Sequence, residues 1–449
     1  MNVFITEPVR KIPVIRETDL CVVGGSCTGV FAAIRAARLG LRVLLIEQNG
    51  MLGGVAVSGL VNIWHTLNDN DDKEQIIAGL TEETIRRLEK RNAVYLDERK
   101  CGSYNFNPCE LTITLDELVS ENKVEVMLHT SFTAVHAENG EVNHIIVENR
   151  DGRGAIRAKF FIDATGDGFI ARGLGLESFI SGNIQPPTAC FHLQGKMDGI
   201  DVGNLIKEHG AEFGLDDDWG WSTYVAGIDG ITMRADRHVF GCRCDRADDL
   251  TKAEIDGRRM MRAFVAMLQK YGRKDTNYAL TNICSSLGLR ETVHYKTRFQ
   301  ANEIPLLTGA RYDSPIMNGT YPCDIHHSDE GGISFRYLDG SERTIYGNGT
   351  RTVAGNWRER LGISGEPAKY YQIPFDMIVG ETMRNFIAVG RIINADMTAY
   401  GALRVMVNLN QIGEAAGVAA ALCVGRNADL RKLDGRDVTK TLRDGGSAL

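Results

Sequence analysis

The N-terminal part of the chain alternates short apolar runs with one longer helical pattern. Residues 19–23 form a β-prone apolar run suited to a central parallel strand. The alanine-rich stretch 30–39 predicts a helix that Gly40 ends. A second apolar run, residues 42–46, ends in Glu47. Strand, helix and strand in this order predict a parallel βαβ unit.

A glycine-rich turn joins the first strand of this unit to its helix. The turn consists of Gly24, Gly25, Ser26, Cys27, Thr28 and Gly29. Gly24 permits the tight bend, and Gly29 allows the helix to pack closely on the strand. The N–H groups at the start of the helix favour a pyrophosphate. Glu47, followed by Gln48, is placed to bind ribose hydroxyls. The pattern predicts a bound dinucleotide, and glycines that serve packing alone are the alternative.

Three further segments resemble motifs of the glutathione-reductase-like flavoproteins. The doublet Gly53-Gly54 resembles the glycine pair that follows the ribose-binding acid in that superfamily. Residues 159–168 resemble its ATG motif and contain Ala164, Thr165, Gly166 and Asp167. Residues 385–391 resemble the late strand that leads to the flavin ribityl chain and end in Gly390 and Arg391. Residues 288–292 also resemble a GxRET stretch found in the middle of such chains.

These motifs follow the family order and cover both ends of the chain. The sequence therefore resembles the FAD-dependent oxidoreductase family, which is related to the fumarate-reductase-like flavoproteins. The resemblance implies noncovalent FAD, held by the motif residues above together with Ser58, Thr133, Leu403 and Arg404. Thr133 belongs to a segment where relatives present backbone to the adenine. Cys101 and Cys109 lie too far from the motifs to attach a flavin covalently.

The sequence departs from the family pattern in two places. Ser26 stands where GxGxxG has its second glycine, so its Cβ narrows the space for phosphate while its hydroxyl can donate a hydrogen bond. Arg391 stands where many relatives outside this family have aspartate, and Asp396 is the candidate substitute for that carboxylate. A helix predicted over 401–421 would point its N-terminal N–H groups at the flavin and favour its reduction. Arg404, in the first turn, would add positive charge, bind an anionic substrate or extend into solvent.

The pattern and the resemblance together imply an α/β fold with two domains. A Rossmann-type FAD-binding domain, whose parallel sheet carries an antiparallel β-meander at 124–162, is expected over 1–65, 108–177 and 371–430. An inserted α+β substrate or cap domain is expected over 66–107 and 178–370, before a C-terminal tail at 431–449. Inside the insertion we predict a strand at 189–195, a helix at 253–271 and a loop-rich stretch at 319–357. Residues 347–349 are typical of a turn, so no second dinucleotide-binding unit is expected.

Composition and charge argue against several other classes of protein. The 449 residues carry a net charge of −7, which does not indicate a nucleic-acid surface. No run approaches the roughly 20 apolar residues that cross a bilayer. The N-terminus lacks a secretory pattern, which favours a cytoplasmic protein with reduced cysteines. Cys242 and Cys244 lack CxxC spacing, and His326-His327 is interpreted as a solvated turn, so no metal is expected. A homo-oligomer is left open.

Flavin chemistry needs a protein group that exchanges a proton with the substrate. His65 follows the glycine doublet in a segment expected to lead away from the flavin face. His192 lies in a predicted strand, where it faces either the pocket or solvent. Arg290 and Glu291 suit an anion clamp or a buried ion pair equally well. With Arg404, these are the candidate catalytic residues.

The sequence predicts an FAD-dependent oxidoreductase, that is, a dehydrogenase, oxidase or reductase. It would transfer a hydride between a small polar metabolite and flavin N5. One alternative is a flavin monooxygenase that uses NAD(P)H and oxygen. Another is a non-redox, RNA-modifying flavoprotein, against which the mildly acidic charge argues.

Overall fold

A seven-stranded mixed sheet forms the centre of the molecule. A computed structural model describes residues 3–98, 102–347 and 351–449. The strands of this sheet are β1 (Val14–Val23), β2 (Val43–Ile46), β6 (Glu125–Met127), β7 (Ser131–Glu138), β8 (Glu141–Asn149), β9 (Gly152–Asp163) and β22 (Phe386–Ala388). Their order in the sheet is β6-β2-β1-β9-β8-β7, and β22 pairs with β9.

The parallel part of this sheet contains the strands that the motifs predicted. β1 pairs in parallel with β2 and β9, and β9 pairs in parallel with β22 through its last residues. The carboxyl ends of these strands therefore meet at one edge, where open α/β sheets bind ligands. β7, β8 and the first half of β9 form the expected antiparallel meander. β6 does not belong to the meander, because it pairs in parallel with β2.

Helix α1 (Cys27–Arg38) packs against α10 (Met406–Arg426) on one face of the sheet. The two backbones approach closely at glycines of α10. An added Cβ at Gly413 would clash with the Thr28 carbonyl oxygen, and one at Gly417 with the Ala32 carbonyl oxygen. A buried ion pair between Arg35 and Glu414 joins the same two helices.

The middle of the chain contributes two four-stranded antiparallel sheets. The first has the order β12 (Trp221–Tyr224), β13 (Ile231–Ala235), β11 (Phe191–Gln194) and β14 (Ala279–Ile283), and shares a hydrophobic cluster with α6 (Ala247–Tyr271). The second consists of β17 (Cys323–His326), β18 (Gly332–Arg336), β19 (Ser341–Tyr346) and β20 (Arg351–Asn356). The prediction of a loop-rich stretch at 319–357 is therefore wrong, because antiparallel pairing orders these short polar segments.

Smaller elements complete the chain. The remaining strands are β3 (Ile63–Trp64), β4 (Val94–Asp97), β5 (Ser103–Phe106), β10 (Ser178–Phe179), β15 (His294–Tyr295), β16 (Pro315–Gly319) and β21 (Tyr371–Pro374). The remaining helices are α2 (Leu80–Glu89), α3 (Pro108–Glu121), α4 (Phe169–Gly173), α5 (Val202–His209), α7 (Glu303–Leu307), α8 (Trp357–Arg360), α9 (Met397–Leu403) and α11 (Gly435–Asp444). The domain boundaries drawn from the sequence remain predictions.

The helix predicted over 401–421 is divided in the structure. Gly401 lies inside α9, and the long helix α10 begins five residues later, at Met406. Arg404 ends α9 and does not lie in the first turn of the long helix. Residues 348–350, which include part of the predicted Gly-Asn-Gly turn, and Cys101 lie outside the described residues. In the part of the chain that is described, no helix has the length and apolar character to cross a membrane.

Gly417→Ala should lower the free energy of unfolding by about 1–3 kcal/mol, because overpacking forces apart two helices that meet through their backbones. Gly425→Ala in the same helix is the matched control, since its added Cβ would have nothing within 4 Å. The control should be neutral or stabilising by up to about 1 kcal/mol. Urea unfolding measures both variants, and equal stabilities would contradict the close packing of α1 on α10.

Candidate functional site

A cavity of about 1100 Å³ runs along the carboxyl edge of the parallel strands. At one end it is lined by the glycine turn and Glu47. Its middle is lined by Gly53, Gly54 and Gly166. At the other end it reaches ionisable side chains from several elements, namely His65, Arg290, Tyr321, Asp324, His326 and Arg404. The cavity therefore connects the predicted dinucleotide-binding motif to a polar pocket.

The residues of the glycine turn have different roles in the structure. Gly24, Ser26, Cys27 and Thr28 line the cavity. Gly24 has a φ of +107°, and a Cβ there would clash with the Ala164 backbone. Gly29 does not line the cavity, and a Cβ there would clash with the Gly24 carbonyl oxygen. Ser26 is the N-cap of α1 and accepts a hydrogen bond from the Gly29 N–H. A capping role thus accounts for the serine that replaces the second motif glycine.

Three N–H groups hold the Glu47 carboxylate in place. Its Oε2 accepts from the Gly25 N–H at 2.6 Å. Its Oε1 accepts from the backbone N–H and side-chain amide of Asn49, each at 2.8 Å. The side chain is almost completely buried yet lines the cavity, as does Gln48. Glu47 therefore has a fixed orientation and can still accept hydrogen bonds from a ligand.

The ends of β9 and β22 form the opposite wall of the cavity. Ala164, Thr165, Gly166, Asp167, Gly390 and Arg391 line it, as does Ser58 from the glycine-doublet segment. Arg391 donates to the Asp167 carboxylate at 2.5 Å, and its buried Nε has no hydrogen-bond partner among the residues that the structure describes. Asp396, the candidate substitute for the missing acid, does not line the cavity, and it caps α9 by accepting from the Ala399 N–H.

Two residues assigned to FAD from the sequence lie elsewhere. Thr133 is exposed on β7, where its hydroxyl donates to the Ile146 carbonyl oxygen at 3.1 Å. Leu403 is fully buried in the core and does not line the cavity. The helix end that does face the cavity is that of α10, through Val405 and Met406. The positive end of a helix dipole therefore faces the cavity as expected, but the helix begins five residues later than predicted.

The ionisable end of the cavity combines residues from separate parts of the chain. The rings of His65 and Tyr321 lie 4.0 Å apart between centroids. The Tyr321 hydroxyl donates to Asp324 Oδ2 at 2.6 Å. Arg404 Nη2 lies 3.2 Å from Asp324 Oδ1 and donates to the Asp324 carbonyl oxygen. Arg290 donates through Nη1 to the Pro186 carbonyl oxygen and to the Thr188 hydroxyl.

Burial dominates the electrostatics of this end. It lowers the pKa of His65 to about 4, although the Asp324 charge opposes the shift. Burial also lowers the pKa of Arg290 to about 10, and Arg404 adds to that shift. It raises the pKa of Tyr321 well above its usual range. His65 is therefore a neutral acceptor near pH 7, while Arg290 and Tyr321 keep their protons.

The remaining candidate catalytic residues lie away from the cavity. His192 is buried on β11 with its Nε2 unpartnered, and burial lowers its pKa to about 4. Glu291 accepts from the Ser181 hydroxyl, the Gln185 N–H and His294 Nε2. The sequence left an anion clamp and a buried ion pair as alternatives for Glu291. Glu291 does not line the cavity, which argues against the clamp, and its buried carboxylate lies 3.0 Å from His294 Nε2. His65, Arg290 and Arg404 are the candidates that line the cavity.

The sequence interpretation missed Tyr321, Asp324 and His326. His326 is not in a solvated turn, because it lies on β17 and is almost completely buried. The signal that could have identified it is the short run Cys323–His326, an apolar and polar alternation typical of a strand. Among the described residues, no group of His, Cys, Asp and Glu has the arrangement of a metal site.

The structure thus combines a Rossmann-type sheet with a cavity of about 1100 Å³ at the carboxyl edge of its strands, where open α/β sheets bind ligands. The sequence profile of the family described as FAD dependent oxidoreductase matches residues 19–442. The match covers most of the chain, so the chain belongs to this family.

Two relatives show sequence similarity over part of the chain. The mitochondrial dihydrolipoyl dehydrogenase of Schizosaccharomyces pombe is 28% identical over 218 residues, which cover 44% of this chain and 39% of that protein. The dihydrolipoyl dehydrogenase of Trypanosoma brucei brucei is 30% identical over 172 residues, which cover 35% and 32%. The matched regions thus span less than half of these relatives.

The solved structures that this chain resembles match it at low sequence identity and with TM-scores below 0.5. A geranylgeranyl bacteriochlorophyll reductase-like protein of Thermoplasma acidophilum is 14% identical, with a TM-score of 0.43 over 95% of this chain and 83% of that chain. The p-nitrophenol 4-monooxygenase of Pseudomonas putida is 11% identical, with a TM-score of 0.45 over 96% and 89%.

The residues around the cavity fit FAD. Its volume exceeds the range of roughly 300–1,000 Å³ that usually holds a drug-sized ligand. Gly390 lines the cavity with a φ of +99°, and a Cβ there would have Gly166 as its single neighbour within 4 Å. A side chain at Gly390 would therefore stand in the space that the cofactor needs. The unpartnered Nε of Arg391 offers a buried donor in the same region.

Glu47→Ala should weaken FAD binding about 10- to 100-fold, because it removes a carboxylate whose hydrogen bonds are worth about 1.5–3 kcal/mol. Titration of the apoprotein with FAD, followed by flavin fluorescence, measures the dissociation constant. Glu17→Ala is the control, since Glu17 is exposed on β1 and pairs with Arg157. An unchanged affinity in Glu47→Ala would show that Glu47 does not contact the cofactor.

Proposed function

We propose that this protein transfers a hydride between FAD and a small polar metabolite that carries an anionic group. The continuity of the cavity supports the proposal most strongly, because one space joins the dinucleotide motif to Arg290, Arg404 and His65. FAD, when bound, supplies the hydride acceptor or donor at its N5 atom. The protein must then position the substrate and exchange a proton with it.

Arg290 and Arg404 bind the anionic group of the substrate. Both line the ionisable end of the cavity, and both keep their positive charge near pH 7. Within the described residues, the hydrogen bonds of Arg290 all leave from Nη1, so its Nη2 and Nε remain for a ligand. Asp324 compensates the charge of Arg404, so the positive charge of Arg290 is the excess that attracts an anion at this end of the cavity. A planar guanidinium suits a carboxylate in particular.

His65 contacts the substrate and accepts its proton. It lines the cavity, and no hydrogen bond to the described residues occupies its ring nitrogens. Because the pKa of His65 is about 4, its imidazole is neutral at physiological pH, and the neutral form is the one that can accept a proton. The Tyr321 ring, which lies against the imidazole at an interplanar angle of 35°, limits the rotation of His65. The reaction thus has an anion-binding side and a proton-accepting side in one pocket.

Anaerobic mixing of the FAD-loaded protein with a panel of small metabolites tests this function. Small hydroxy or amino acids should bleach the flavin absorbance, while their uncharged amides should not. Admitting oxygen together with NAD(P)H distinguishes the monooxygenase alternative, which would give a hydroxylated product. A panel without any bleaching, from a protein that holds FAD, would contradict the proposal.

His65→Gln should lower kcat/KM about 10²- to 10⁴-fold, the usual worth of a general base. In the wild-type protein kcat/KM should fall as the pH drops through about 4, since protonation of His65 removes the base. The variant should lose that acid limb while retaining FAD. His209→Gln is the control, because His209 stacks on Tyr271 away from the cavity. Equal pH profiles for wild type and His65→Gln would exclude this role.

A further inference from the structure

Four half-buried aromatic side chains line the cavity next to its ionisable end. They are Trp219, Trp221, Phe335 and Tyr337. Trp221 begins β12 in the first antiparallel sheet, and Trp219 precedes that strand. Phe335 lies on β18 in the second sheet, and Tyr337 follows that strand. We refer to these four residues as the aromatic wall.

The register of the second sheet connects the aromatic wall to the ionisable end. Phe335 on β18 pairs with Asp324 on β17 and with Arg343 on β19. Residues directly opposite each other in antiparallel strands point to the same face, with Cβ atoms about 4.5–5.5 Å apart. Asp324, Phe335 and Arg343 all line the cavity. They therefore form one row that begins at the ionisable end and reaches the exposed guanidinium of Arg343.

Contacts between rings hold the aromatic wall in place. The Trp219 ring centroid lies 5.6 Å from that of His326 and 6.1 Å from that of Phe335, with interplanar angles of 69° and 68°. Both pairs have the edge-to-face geometry that aromatic rings prefer. Phe335 and Tyr337 stack with their centroids 5.8 Å apart. His238 Nε2 lies 2.6 Å from His326 Nδ1 and orients the imidazole against which Trp219 packs.

Arg343 holds the outer end of the aromatic wall. Its guanidinium carbon lies 5.5 Å from the Phe335 ring centroid, and its Nη2 donates to the Tyr337 hydroxyl at 3.3 Å. The wall is thus anchored by His326 at its inner end and by Arg343 at its outer end. Apolar ring surface that faces a cavity is stabilised when a ligand displaces the water on it.

The position of the aromatic wall suits a second molecule beside FAD. The nucleotide motifs follow strands of the central sheet, whereas the wall lies on the two four-stranded antiparallel sheets. Asp324 contacts Arg404 on one side and pairs with Phe335 on the other. A flavin ring that ends beside Arg404 therefore leaves the wall to the substrate.

The wall and the anion-binding Arg290 flank the same two histidines. Arg290 donates to the Thr188 hydroxyl, and Thr188 pairs with His238 in a β-bridge. His238 contacts His326, against which Trp219 packs. A carboxylate at Arg290 and a ring at Trp219 can therefore belong to one small molecule.

We infer that the aromatic wall binds an aromatic ring of the substrate, and that the substrate is an aromatic carboxylic acid. The carboxylate half of this inference rests on the proposed function, in which Arg290 binds the anionic group. The ring half rests on the wall alone. Pairs of aromatic rings attract each other beyond the area that they bury, so the wall selects an aromatic ring over a saturated ring of similar size.

Titration of the FAD-loaded protein with phenylacetate, cyclohexylacetate and acetate tests the ring half without any turnover. The three probes share a carboxylate and differ in the group attached to it. Phenylacetate should bind about 10- to 100-fold more tightly than acetate, because its ring is buried. It should bind about 2- to 10-fold more tightly than cyclohexylacetate, because aromatic pairing is added. Calorimetry measures the dissociation constants. Equal affinities for phenylacetate and acetate, or a preference for cyclohexylacetate, would overturn the inference.

Phe335→Leu and Trp219→Leu locate the ring, because each removes an aromatic face and keeps an apolar side chain. Each variant should weaken phenylacetate binding about 10-fold and leave acetate binding unchanged. Phe213→Leu is the matched control, since the half-buried Phe213 ring pairs edge-to-face with Tyr271 and does not line the cavity. Unchanged phenylacetate affinity in both variants would overturn the inference. Weaker binding of FAD in either variant would assign the wall to the cofactor and overturn it as well.

Phenylacetamide, which has the ring but no charge, separates this inference from the proposed function. If it binds as tightly as phenylacetate, the anion-binding role of Arg290 fails, while the preference for an aromatic ring over a saturated one still stands. If no acid bleaches the flavin, the proposed function fails, and the binding series still decides what the wall binds. If Phe335→Leu weakens the binding of NADH but not of phenylacetate, the wall binds nicotinamide and the inference is wrong.

Discussion

The site depends on how closely the backbone at the end of β1 approaches the backbone at the end of β9. Gly24 follows β1 and lies against Ala164, which follows β9, at a distance that leaves no room for a Cβ. This contact brings the glycine turn, the Glu47 carboxylate and the Gly166 segment to one edge of the sheet. The N-terminus of α1 then faces the same space, with its peptide dipoles aligned toward an anion.

The two ends of the cavity differ in the groups that line them. The nucleotide end consists largely of backbone and small residues, and the buried Glu47 carboxylate there is oriented by three N–H groups. The ionisable end consists of side chains held by one another. Asp324 is central there, because it contacts Tyr321, His326 and Arg404 at once. Gly401 makes this possible, since a Cβ there would press on the Asp324 backbone.

The nucleotide end could be predicted from sequence because strand, glycine turn, helix and acid occupy consecutive positions from 19 to 54. The ionisable end could not, because folding brings His65, His238 and His326 together from distant segments. The polar composition of 319–357 concealed β17 to β20, although each of these strands pairs with its neighbour in the sequence. The sequence does not reveal where α10 begins, because no proline or glycine marks the break at Arg404 and Val405.

The central claim is that FAD lies along the cavity from Glu47 and ends with its flavin ring at the ionisable end, beside the space for the substrate. A crystal structure of the protein with FAD tests it most directly. We expect the ribose at Glu47, the pyrophosphate against residues 24–29, and the ring system beside His65 and Arg404. Density for the flavin ring outside this pocket, or an adenosine that does not touch Glu47, would contradict the account.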